Sequence, residues 1–247
     1  ARIGDTVMIE RSGDVIPKIL EVKLDKRPDT SEPYIFPTHC PDCDSFAVRE
    51  EGEVAWRCSG GLYCPSQVLE RLKHFVSRDA FDIEGMGGKQ IERFLERELI
   101  KTLPDIFGLK EHRDVIAKWD GFGDKSTDNL IAAIEARKSI GFDRFLYGLG
   151  MRHIGQSTAK LLARHYGSYD KWHAAISIIA VTTGTQERQD LVELDSIGDA
   201  VADALAEFFR EKHNLDVLNK LKAVLDIQDV EPLDTSFSPV AGKTVVF

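Results

Sequence analysis

No stretch of this chain is apolar for long enough to span a bilayer, and its first residues carry no secretory leader pattern. Cysteine is scarce, with four in 247 residues, so a secreted scaffold stapled by disulfides is not expected and a reducing cytoplasm is. Basic charge is in deficit. The 32 Lys and Arg against 41 Asp and Glu leave a net charge of -9, which counts against a nucleic-acid binder that works through a broadly basic surface. Also missing is a nucleophile with its base at a recognisable spacing, so no catalytic residue is assigned. What is present, 43% hydrophobic and 30% charged residues over more than one typical domain length, implies two or more globular modules. The chain opens on Ala1 without an initiator methionine and stops at Lys243-Thr244-Val245-Val246-Phe247, a β-rich run just beginning. Both ends are expected to continue in a longer polypeptide.

The few cysteines are not scattered. They fall as Cys40-x2-Cys43 and Cys58-x5-Cys64 with fourteen residues between the pairs. Two short turns, one carrying Pro41 and Asp42 and the other Ser59, Gly60 and Gly61, can each aim two sulfurs at one point. Two disulfides would also use four cysteines, but the compartment and the spacing favour a structural zinc ion held by four thiolates with no open coordination position. Such an ion organises about 30 residues that could not build a core of their own.

Four regions follow from periodicity. Residues 1 to 36 read as β, with Val7 and Ile9 alternating with polar neighbours, a turn at Ser12-Gly13-Asp14 and a second apolar stretch from Val15 to Leu24. Residues 37 to 66 hold the cysteines. From about Gln67 to Leu225 the pattern is helical, with Val68, Leu69, Leu72, Phe75 and Val76 on one face and later Leu130, Ile131 and Ile134. Residues 226 to 239 are acidic and proline-bearing, the composition of a linker, ahead of a final strand from 240 to 247.

Inside the helical region one short unit recurs: Ile83-Glu84-Gly85-Met86-Gly87, Trp119-Asp120-Gly121-Phe122-Gly123, Met151-Arg152-His153-Ile154-Gly155 and Leu194-Asp195-Ser196-Ile197-Gly198. The last glycines stand 36, 32 and 43 residues apart, and Ile91, Thr127, Ala159 and Ala202 follow four residues later. The pattern fits a helix-hairpin-helix, whose turn exposes backbone N–H groups and a positive dipole end to a phosphate oxygen. Backbone donors read no base sequence and need little net basic charge, which answers the objection from composition. The plain alternative is that some copies are only packing elbows. Local charge ranks them. Arg144, Arg152, Lys160, Arg164 and Lys171 against Asp170 give the third copy a net of +4, whereas residues 187 to 216 around the fourth sum to -6. Candidate DNA-contacting residues are therefore Gly85, Gly87 and Lys89, then Gly121, Gly123 and Lys125, and most strongly Arg152, His153, Gly155 and Lys160. His153 stands where a hairpin glycine would be, and reads as a turn or phosphate-facing residue rather than a catalytic one. The fourth copy, with Val201, Ala204, Leu205, Phe208 and Phe209 on one face, reads as packing. Lys118-Trp119-Asp120-Gly121 matches the K-x-D-G signature of covalent nucleotidyltransferases. Yet Gly121 and Trp119 already belong to the second repeat and the flanks are helical, so the match is taken as fortuitous.

The string Arg11-Ser12-Gly13-Asp14-Val15-Ile16-Pro17, the cysteine spacing and Gly150-Met151-Arg152-His153-Ile154-Gly155 together resemble the C-terminal half of bacterial NAD-dependent DNA ligases. The resemblance implies a multidomain, mainly α fold. Residues 1–36 would end an OB fold, 37–66 would be a four-cysteine zinc finger, 67–225 would carry four helix-hairpin-helix motifs, 226–239 would be a linker and 240–247 would begin a BRCT domain. It also implies that the domains binding NAD and Mg and carrying the adenylated lysine lie upstream, so this segment alone would be inactive. The implied role is to clamp nicked duplex DNA, as a monomer in the cytoplasm at the nucleoid, with Arg11 a further phosphate contact. A stand-alone hairpin and zinc DNA-binding module, or a scaffold that binds nothing, are the other two readings of the same residues.

Overall fold

The computed structural model of the protein describes residues 1–12, 16–49, 52 and 54–230. The Gly13-Asp14 turn, most of the expected linker and the final strand lie outside them. The chain divides into two compact units, Ala1–Thr38 and His39–Phe247.

The first unit is an antiparallel ribbon of β1 (Val7–Ser12) and β2 (Ile16–Val22), in register from Val7 opposite Val22 to Ser12 opposite Ile16, with an irregularity at Met8/Ile9. Two strands alone cannot enclose a core, and Ile9, Ile19 and Leu20 are at least half exposed. Polar contacts fasten the segment instead. The Arg27 guanidinium donates to both Asp5 carboxylate oxygens at 2.7 and 2.8 Å, and the Arg2 amide donates to Asp5 at 2.6 Å.

The second unit begins with two short strands, β3 (Ala47–Val48) and β4 (Arg57–Cys58), paired antiparallel. Helix α1 (Pro65–Val76) follows directly, with Cys64 at its N-cap and Pro65 at its first position, where the missing N–H costs nothing. Its buried residues, Val68, Leu72, Phe75 and Val76, fall on the helical spacing read from the sequence. Phe75 stacks on Phe81 with 3.9 Å between ring centroids and meets Phe107 edge-on. The chain continues through α2 (Gly88–Glu96), a 3₁₀ helix (Leu103–His112), α3 (Arg113–Ile116) and α4 (Asp124–Ala136). Then come β5 (Ser139–Gly141), α5 (Phe142–Gly148), α6 (Gln156–Tyr166), α7 (Tyr169–Val181), α8 (Gln186–Val192), α9 (Asp199–Arg210) and α10 (Lys212–Val224). A single apolar cluster runs from Leu62 in the cysteine-bearing segment to Ile227.

One expectation is corrected here. Residues 226–239 read as a linker, but Asp226–Gln228 form β6, which pairs in parallel with β5. Ile227 is buried, and the Val230 amide donates to the Gly167 carbonyl at 2.8 Å. Flanking acids mask the one inward-facing Ile227, so the strand is hidden in a composition typical of loops.

Candidate metal centre and nucleic-acid interface

The four cysteine sulfurs lie within 4.8 Å of one another, all as free thiols. Cys40 and Cys64 are 3.9 Å apart, Cys43 and Cys58 3.4 Å. Four ligands at about 2.3 Å from one zinc stand roughly 3.8 Å apart, so the cradle fits a tetrahedral ion. The two turns are built for it. Asp44, at φ 59°, closes the first while its amide donates to the Cys40 carbonyl at 2.9 Å. In the second, the Gly60 amide donates to the Cys58 sulfur at 3.3 Å. A Cβ on Gly60 would stand 2.8 Å from the Ser45 Cβ and 3.2 Å from the Cys43 sulfur, so only glycine lets the turns close. Amide donors around Cys40 draw its pKa down, and burial pushes those of Cys58 and Cys64 up. A bound cation would hold all four as thiolates. The set has four ligands and no open position, which suits structure rather than chemistry.

A buried amide helps to fasten this metal module to the helices. Asn214, on α10, accepts from the Leu62 amide at 3.4 Å and donates to the carbonyls of Ser59 (3.3 Å) and Phe208 (3.2 Å). Ser59 donates to Glu211 at 3.1 Å, and Tyr63 stacks on His213 with centroids 4.2 Å apart. No spacing rule relates residues 59–63 to 211–214, so none of these partners was legible in advance.

The four repeated units share one backbone geometry. In each, the fourth residue donates to the carbonyl of the first: Met86 to Ile83, Phe122 to Trp119, Ile154 to Met151 and Ile197 to Leu194, at 3.0 to 3.3 Å. The third residue is left-handed in every copy, with φ 81° at Gly85, 76° at Gly121, 61° at His153 and 69° at Ser196. The last glycine is the N-cap of the following helix, and Ile91, Thr127, Ala159 and Ala202 each donate back to its carbonyl. Those four residues are buried to 0% exposure, which anchors each helix start in the core.

The capping glycines do not owe their identity to the protein interior. Gly87, Gly123, Gly155 and Gly198 have φ of -74°, -161°, -79° and -110°, open to any residue. A Cβ on any of them would meet nothing within 4 Å. Ser, Asp or Asn would cap these helices better, so neither packing nor helix capping accounts for the glycines.

Charge separates the copies further. The first turns of α2 and α6 contain no acid, whereas α4 starts with Asp124 and α9 with Asp199. Asp124 pairs with Arg113 at 2.9 Å and Asp199 with Arg188 at 2.9 Å. The second and fourth helix starts thus carry their own carboxylate, and the first and third stay open. Lys89, Lys125 and Lys160 are exposed near their turns, His153 is exposed and Arg152 is half-buried. Arg11 is a β1 residue opposite Pro17 in the other unit.

Two arginines not singled out from the sequence, Arg93 and Arg97, pack on the second turn. The Arg93 guanidinium donates to the Asp120 carbonyl at 2.7 Å and lies over Trp119 and Phe122, while Arg97 sits 4.1 Å from the Trp119 ring centre. Arg144 donates to the carbonyls of Ala80 and Arg78, both at 2.6 Å. Trp119 is buried and Gly121 left-handed, so K-x-D-G residues 118–121 serve the second turn.

Comparison with known proteins agrees with this geometry. Residues 39–65 match the family model of the NAD-dependent DNA ligase C4 zinc finger domain, and residues 144–218 match that of the helix-hairpin-helix motif. A DNA ligase of Rhodospirillum rubrum is 51% identical over 254 residues, covering 100% of this chain and 36% of the relative. DNA ligases of Rhodopseudomonas palustris strain TIE-1 and of Acidiphilium cryptum are 49% and 48% identical, with 100% of this chain and 35% and 36% of theirs covered. This chain is homologous to a part of NAD-dependent DNA ligases.

It spans about a third of the length of these curated relatives. The ligase zinc-finger match ends at residue 65, where Cys64 hands the chain to α1, so the metal-binding residues and the helix start are one continuous structure. The helix-hairpin-helix match takes in α5 to most of α10 and so covers the third and fourth repeats.

Proposed function

We propose that this chain is the DNA-holding portion of an NAD-dependent DNA ligase, gripping nicked duplex through its backbone phosphates during replication and repair. The observation that carries this reading is the set of unobstructed glycine caps, an arrangement that internal packing does not require. Phosphate oxygens would approach Gly155 and the first-turn amides of α6, with Arg152, His153 and Lys160 beside them. Gly85, Gly87 and Lys89 would act likewise at α2. The second turn, with Gly121, Gly123 and Lys125, and Arg11 on β1, would add contacts of lesser weight, and the fourth turn would pack. The four cysteines would hold a structural zinc that keeps the segment before α1 folded against α10.

In this reading residues 1–36 close an OB fold and residues 240–247 open a BRCT domain. The NAD- and Mg-dependent adenylation of a lysine is the work of other domains of the same polypeptide. The segment alone, a monomer of the cytoplasm and nucleoid, holds DNA without sealing it. Titrating a labelled nicked duplex with the chain at several salt concentrations, beside an intact duplex, tests this. The expected result is an affinity that falls steeply as salt rises, because each phosphate contact releases counterions. No binding at low salt by a folded, zinc-loaded chain would overturn the reading.

A further inference from the structure

Between the metal module and the third turn lies a cavity of about 640 Å³, walled by Arg57, Cys58 and Ser59 on one side and Gly150 and Arg152 on the other. Arg71, from α1, and Glu207, from α9, also line it. Three arginines and one glutamate therefore line it, in a chain whose net charge is -9.

Arg71 is the unusual member. Its guanidinium fills space that two glycines leave. A Cβ on Gly61 would stand 3.2 Å from Nη2, and one on Gly150, at φ 61°, would stand 2.7 Å from Nη1. One N–H donates to the Gly150 carbonyl. Among the described residues no carboxylate pairs with it, whereas Arg27, Arg113, Arg137 and Arg188 each have at least one. Partial burial pulls its pKa below the ordinary value. A half-buried guanidinium with no carboxylate partner has donors left for an anion. The planar fork of donors suits the oxygens of a phosphate.

We propose that this cavity is a phosphate-group site with Arg71 as its central ligand and Arg57 and Arg152 at its rim. It is continuous with the third turn through Arg152 and is large enough for a phosphate carried on something bigger. The phosphate is that of a nucleic-acid strand or of a free nucleotide-like anion. Only the first source rests on the DNA-holding reading.

The test uses the zinc-loaded chain. Inorganic phosphate, against chloride at equal ionic strength, is expected to shift the Arg71 Nε–Hε NMR signal and raise the melting temperature. Arg57→Met should weaken both effects and Arg71→Met should abolish the gain in melting temperature. If Arg71→Met folds, with circular dichroism and zinc content as checks, it should bind inorganic phosphate about tenfold or more weakly, the scale of a lost hydrogen bond to a charged group. A parallel loss for a labelled duplex assigns the site to the strand, and unchanged duplex affinity assigns it to a free phosphate. An Arg71 signal indifferent to phosphate in the wild-type chain overturns the proposal, whether or not Arg71→Met folds. Lys160→Glu separates the two readings: loss of duplex binding there with a silent Arg71 keeps the DNA-holding role and sinks this site.

Discussion

Replacing Gly155 by serine sets stability and DNA binding against each other. The N-cap has φ -79° and ψ 179°, and a new Cβ meets no atom within 4 Å. Serine is a better N-cap than glycine by a few tenths of a kcal/mol, because its hydroxyl can accept from a first-turn N–H. Gly155→Ser should therefore leave the urea midpoint unchanged or slightly raised. For DNA the same change is harmful twice over. The side chain occupies the approach to the helix end, and its hydroxyl engages the Thr158 amide that a phosphate oxygen would otherwise use. Losing one hydrogen bond to a charged group costs about 1.5–3 kcal/mol, so affinity for a labelled duplex should fall about tenfold or more. Gly198→Ser is the internal control, because Asp199 already sits in that first turn with Arg188; its effect on DNA should be slight. A Gly155→Ser chain that is fully folded and binds duplex as well as the parent would refute the argument that the glycine is kept for a ligand.

Chelation of the metal, or Cys64→Ser, should lower the melting temperature by many degrees and release close to one zinc per chain, measured by atomic emission. Cys64 both holds the metal and starts α1, and structural zinc contributes on the order of 10 kcal/mol. Asn214→Ala should cost about 1–3 kcal/mol in denaturant unfolding, since it leaves the buried Leu62 amide without its acceptor and removes a donor from the Ser59 and Phe208 carbonyls. Gly60→Ala should instead weaken zinc retention in a chelator competition, because its methyl presses on Ser45 and Cys43. In the first unit, the Arg27 guanidinium holds the Asp5 carboxyl well below its ordinary 3.8, so the pair stabilises the ribbon above that pH and the contribution is lost as pH falls through the lowered value. Amide NMR signals of β1 and β2 in the whole chain should report a loss of order in acid, and Asp5→Asn should flatten that dependence.

The metal set was legible from sequence because thiolate ligation needs sulfurs at fixed short spacings, and Cys40, Cys43, Cys58 and Cys64 satisfy those spacings locally. The repeated turns were legible for a related reason. A left-handed third residue and a capping glycine are demands of the local backbone, and they leave the same letters at residues 85 and 87 and at 121 and 123. The third and fourth copies kept that backbone with His153 and Ser196, so the pattern of apolar positions, anchored by Ile154 and Ile197, carried the recognition where the glycine did not. The inner face of α1 followed from its period. The acidic stretch after residue 225 misled, because β6 depends on a partner, β5, 87 residues earlier and on one buried Ile227.

What only the tertiary structure decided is who meets whom over long separations. Asn214 reaching Ser59 and Leu62, Arg93 reaching Asp120, and Arg71 lodged between Gly61 and Gly150 are contacts made after the helices pack. The pairing of Asp124 with Arg113 and of Asp199 with Arg188, which sets two closed helix starts apart from two open ones, also follows from packing. Sequence determines an element when the energy that forms it is spent between near neighbours, as in a turn, a cap or a metal knuckle. It is silent where burial brings distant polar groups together, because there the partner is chosen by the shape of the whole core.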